Sequence, residues 1–207
     1  MTSSIYEATD DLQYVRKLAE SGVNAPLLGG RFMLWWGLLL TIAYTAHHFA
    51  LNGMIGDRDT IFAWIWPPFG VIGTAGQFLL MRSMPAKAGA GSAGNRASRL
   101  VWVAAAVTIV SMVIGSAIAA YNGARPATFD WVAPVAFAVY ACALIVTGGL
   151  SGNRIIVAAG AGAAIMVGLF TALILHSDRY LVAAAGIAFT VFLPGLLLLL
   201  AEPRSQE

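Results

Sequence analysis

Along this chain, stretches of mixed polarity alternate with six nearly unbroken apolar runs, at residues 32–51, 61–81, 100–120, 131–150, 155–175 and 180–201. Leu, Ala, Ile, Val and aromatic residues dominate them, and none contains Asp, Glu, Lys or Arg. A helix rises 1.5 Å per residue, so about 20 residues cross a hydrocarbon core of roughly 30 Å. The pattern therefore predicts an all-α integral membrane protein with six transmembrane helices arranged as three hairpins. A soluble bundle is disfavoured because surface helices carry a polar face and these runs have none. A membrane β-barrel would show shorter segments of alternating polarity.

The polar segment before the first run differs in kind. Ile5, Leu12, Val15 and Leu18 recur at helical spacing, Ser4 and Glu7 fit a capping box, and Gly22 is a natural stop. Residues 4–21 are expected to form a short amphipathic helix lying on the membrane surface or on the protein's own cytoplasmic face. The organisation expected is a cytoplasmic helix and linker over 1–30, a membrane domain over 31–201 and a tail over 202–207. Pro85, Gly89, Gly91 and Gly94 mark 82–99 as a flexible, solvated loop.

Composition sharpens this picture. Of 207 residues, 59% are hydrophobic and 11% charged, against about 25% charged in soluble domains. Nine of the 12 Lys and Arg residues fall on one side of the predicted spans, leaving Arg58, Arg125 and Arg179 on the other. The positive-inside rule then places both termini in the cytoplasm, and the compact chain fits a bacterial inner membrane. A net charge of +2, dispersed along the chain, argues against nucleic acid as a partner. The one cysteine, Cys142, precludes an internal disulfide and reads as a small buried hydrophobe. Every Trp lies near a span end, where indoles suit the headgroup region.

Gly29-Gly30-Arg31, Gly94-Asn95-Arg96 and Gly152-Asn153-Arg154 each precede an odd-numbered span, and Trp64 with Pro67 recurs as Trp131 with Pro134. An internal repeat would produce this, and so would turn chemistry under the positive-inside rule. Pro67 and Pro68 are expected in a first helical turn, leaving Pro134 and Pro194 as kink candidates. Small residues at spacing of four, Ser111, Gly115 and Ala119 in the third span and Gly160, Ala164 and Gly168 in the fifth, are expected to mark tightly packed helices.

Candidate chemistry is sparse. Thr41, Tyr44, Thr45 and His48 share a face of the first span, and with Gln77 and Tyr140 they could line a pathway or glue helices together. His47, His48 and His176 fall at one outer level and could hold a transition metal or a haem, with Asp57, Asp59 and Asp178 as supporting acids. Adjacent His47 and His48 diverge on a helix, so one of them would face inward. No zinc-protease helix, phosphate loop or nucleophile elbow occurs. The expectation is a non-enzymatic protein without a resident cofactor. It would bind a small or hydrophobic ligand, or act as an accessory subunit beside a membrane-protein partner or a second copy. A facilitative channel or carrier, and a metal- or haem-binding protein, are the alternatives.

Overall fold

A computed structural model describes residues 28–56, 60–82, 91–123 and 126–201. The segment 4–21, Asp57, Asp59 and the tail 202–207 lie outside them. The described residues are all-helical: α1 (Gly30–Leu51), α2 (Ile61–Arg82), α3 (Ala93–Tyr121), a 3₁₀ segment (Pro126–Trp131), α4 (Val132–Leu150), α5 (Arg154–Ala172), α6 (Arg179–Ile187), a π segment (Ala188–Phe192) and α7 (Leu193–Ala201). The last three form one rod, so six rods are present.

Four rods are long and apolar enough to cross a membrane: Gly94–Tyr121, Thr128–Leu150, Arg154–Ala172 and Arg179–Ala201. Four of the six runs expected from the pattern thus meet the criterion of length and apolarity among the described residues. The other two, α1 and α2, match them in length at 22 residues. Their apolar content is diluted by paired Trp, Thr and His in α1 and by Pro67, Pro68, Thr74 and Gln77 in α2.

Neighbours pack in the order α2, α1, the α6–α7 rod, α5, α4, α3, with the broadest pairing between α4 and α5. Successive rods run in opposite directions. One end of the bundle gathers Gly30, Arg82, Ala93, Arg154 and Ala201, and Leu28 N–H donates to Asn95 Oδ1 there at 3.3 Å. Arg31, Arg82, Arg96, Arg99 and Arg154 lie at or near it, whereas Asp130 and Asp178, the acids among the described residues, lie at the opposite end.

Several local expectations change. Helix α3 starts at Ala93 because the Ser92 side chain accepts the Asn95 N–H at 3.2 Å, capping the orphan donors of the first turn. Gly94, Arg96 and Arg99 are therefore helical, and the expected loop 82–99 ends before them. The prolines exchange roles. Pro67 and Pro68 sit more than a turn inside α2, while Pro134 occupies the first turn of α4, where a missing N–H is tolerated. Pro194 follows the π segment, in which Leu193 N–H bonds back to Ala188 O; the ring of Pro194 cannot donate to Thr190 O, and the wider turn absorbs that lost hydrogen bond. Cys142 is exposed on the outer face of α4 rather than buried.

Close packing rests on small residues. A Cβ on Gly195 would meet Leu34 N at 2.6 Å, and one on Gly37 would meet the Phe192 backbone at 2.7 Å, so α1 crosses α7 and the end of the π segment backbone to backbone. Between α4 and α5, a Cβ on Gly160 would lie 2.7 Å from Ile145 and one on Gly148 would lie 2.7 Å from Val157 N. Gly160 belongs to the predicted small-residue row of α5, but Ala164 and Gly168 turn outward; Ile156, Ala159, Ala163, Met166 and Phe170 form the inner stripe. In α3 the outward face carries Ser111 and Gly115, Ala119 is half-buried, and Ser98, Ala105 and Ser116 face the bundle.

Candidate functional site

The polar side chains converge at the end of the bundle opposite the arginine-rich one. Asp130, in the last turn of the 3₁₀ segment, accepts the Tyr180 hydroxyl at 2.5 Å and the Arg179 guanidinium at 3.2 Å. Arg179 also donates to His176 O at 3.0 Å and lies 4.9 Å from the centre of the Tyr180 ring. Neither charged group is more than 20% exposed, so the ion pair is stronger than a fully solvated one. It joins the entry to α4 with the first residues of α6.

An aromatic layer continues inward. His47 stacks on Tyr180 at 4.0 Å, and Tyr44 lies 5.9 Å from Tyr180 and 5.1 Å from Trp66. Phe170 meets Tyr180 edge-on from α5, and Phe62 of α2 meets Phe129 beside Asp130 at 4.6 Å. Trp66 Nε1 donates to His47 Nδ1 at 3.1 Å. Indole nitrogen is a donor only, so Nδ1 must carry a lone pair, and this bond exists only with neutral His47 protonated at Nε2. Five elements thus meet around His47 and Tyr180.

The predicted histidine set separates. His47 and His48 are both buried but diverge as adjacent helical residues must, and His176 is exposed in the turn before α6. His48 Nδ1 lies 3.3 Å from Asn52 Nδ2 and 3.9 Å from Asp178 Oδ1. Among the described residues, no three His, Cys, Asp or Glu side chains stand close enough to hold a metal ion.

The pathway candidates are engaged with the protein itself. Thr41 and Thr45 donate to the carbonyls of Gly37 and Thr41, each at 2.7 Å, as hydroxyls in apolar helices do. Gln77 Oε1 accepts the Trp36 indole N–H at 2.8 Å, and Trp35 Nε1 donates to Gly73 O at 3.0 Å. These indoles lie on Gly73 and Gly76 of α2 and bind the two helices together, beyond the interfacial role their positions suggested. Tyr44 joins the aromatic layer, whereas Tyr140 sits apart, beside Trp102 at 5.9 Å.

Asp130, Arg179 and Tyr180 were not among the residues the sequence pattern proposed for a site. A signal exists: Asp130-Trp131 and Arg179-Tyr180 are charged–aromatic dipeptides of opposite sign at the starts of two apolar runs on the same side. Chemically, the arrangement clamps helix ends by charge-assisted hydrogen bonds and presents no group of metal donors. No protein-family model, curated protein or solved structure matches this chain.

Proposed function

We propose that the chain is a non-enzymatic, six-span protein of a bacterial inner membrane, built as three helical hairpins with both termini cytoplasmic. It works as an accessory subunit whose α3 lies against another membrane protein. The observation that carries this reading is the state of α3. Across its membrane-length window only 11% is buried, and among the described residues its main packing is on α4 and the 3₁₀ segment. Helix pairs in lipid associate through small residues that allow close backbone approach, and α3 turns Ser111 and Gly115 outward, with no described residue beyond the adjoining turns of α3 within 4 Å of a Cβ at Gly115.

The arginines gathered at one end support the proposed orientation. The capture of Thr41, Thr45 and Gln77 by neighbouring backbone and indole groups weighs against a solute pathway along α1. Cross-linking in native membranes tests the role. In a Cys142→Ser background, Gly115→Cys is expected to yield one discrete cross-linked species, identifiable by mass spectrometry. Phe189→Cys, on the exposed face of the π segment, is expected to yield none. Equal products from both positions, or none from either, would remove the accessory reading.

A further inference from the structure

At the arginine-rich end, α1 forms the floor of a groove walled by α2 and α7. Arg31, Leu34, Trp35 and Leu38 make one helical stripe along the floor, with Leu80 on one side and Leu199 on the other. Its volume of about 340 Å³ falls in the roughly 300–1,000 Å³ range of ligand clefts. Apart from Arg31 the lining is hydrocarbon and the indole of Trp35, whose N–H is already bonded to Gly73 O. Arg31 is thus the one charged residue lining an apolar trough.

We infer that this groove binds an anionic phospholipid, with an acyl chain along Leu34, Leu38, Leu80 and Leu199 and the headgroup phosphate on Arg31. The inference goes beyond the accessory role and rests on the membrane embedding and orientation proposed above, not on the contact made by α3. Charge and level select the occupant. Arg31 lies in the first turn of α1 and Arg82 ends α2 two residues after Leu80, and the described residues at this end include four further arginines besides Arg31 and no acid. Guanidinium matches phosphate oxygens with paired donors, and basic clefts between helices at the cytoplasmic face suit acidic headgroups. Trp35 stands where an indole meets the boundary between headgroup and chain. A zwitterionic lipid would offer the same hydrocarbon, but its ammonium would face the arginines.

The experiment uses the full-length protein extracted in mild detergent, after carbonate-resistant membrane association has verified its embedding independently. Phosphatidylglycerol or phosphatidylcholine is titrated in, and retained lipid is read by native mass spectrometry alongside the unfolding temperature. Wild type is expected to retain one phosphatidylglycerol and to gain thermal stability from it, as any ligand of the folded state confers. Phosphatidylcholine should do neither. Arg31→Gln should weaken retention by roughly ten- to hundredfold, the weight of a lost charge-assisted contact. Arg154→Gln, at the same end but outside the groove, should leave it unchanged. Leu38→Trp fills the trough without altering charge and should also abolish retention, so it decides the matter if Arg31→Gln does not fold. Equal retention of both lipids, unchanged retention in Arg31→Gln or Leu38→Trp, or an equal loss in Arg154→Gln would overturn the inference. Those outcomes leave the α3 cross-link untouched, so the two readings fail separately.

Discussion

The α1–α7 and α1–α2 seams share one helix and are built on opposite plans. Against α7 and the last residue of the π segment, α1 places Gly30 and Gly37 so that backbone meets backbone, with Gly195 answering from the other side. Against α2, it lays the large rings of Trp35 and Trp36 over Gly76 and Gly73 and fastens them by indole hydrogen bonds. The first plan gains dispersion contacts between main chains that cannot move aside. The second gains ring area and two directed bonds, but its contact atoms belong to side chains that can shift. The two seams should therefore respond differently to the same added methyl group.

The largest effect is expected at the backbone seam. Gly195→Ala places a Cβ against Leu34 N and Met33 C with no flexible neighbour to yield, and should cost roughly 3 kcal/mol in detergent unfolding. Next comes the ion pair across the polar end. Asp130→Asn leaves Arg179 without a charged partner and weakens the Tyr180 bond, for a loss of about 2 kcal/mol that a double variant with Arg179→Gln should partly restore. At the indole seam, Gly76→Ala should cost about 1–2 kcal/mol, and Trp35→Leu in the same chain should recover part of it. No comparable second substitution should rescue Gly195→Ala, and finding one would remove the distinction between the seams. Trp66→Phe removes a single donated bond and should cost about 1 kcal/mol. Acid should have the same sense, because protonated His47 has no lone pair at Nδ1 for the indole; the tryptophan fluorescence step at low pH should vanish in Trp66→Phe. Smallest is Ser98→Ala, which removes the 3.1 Å contact with Thr147 between α3 and α4, at roughly 0.6 kcal/mol.

The helical rods were legible because apolar runs of spanning length leave few other structures open to a backbone that must bond to itself. Their inner faces were not. In α3 and α5 nearly every position is apolar or small, so composition does not distinguish the face toward the bundle from the face toward lipid. Of the small residues singled out there, Gly160 turns fully inward, while Ser111, Gly115, Ala164 and Gly168 turn outward. The histidines show the same limit. Their common level follows from position along the runs, yet His47 meets Tyr180, His48 turns toward Asp178 and His176 stays exposed.

What the sequence determined by itself is therefore one-dimensional: helical state, rod positions, the uneven distribution of basic charge and the level of each polar group. These depend on local composition and on the cost of unpaired backbone in a low-dielectric medium. Tertiary structure alone decided which residues became partners. It paired Asp130 with Arg179 and Tyr180 across 49 and 50 positions of chain, set Trp66 on His47, closed Gly195 onto α1 and aligned Arg31 with Leu80 and Leu199. Those pairings depend on the rotation of each rod about its axis, which uniformly apolar helices encode through volume and close backbone approach rather than through polarity.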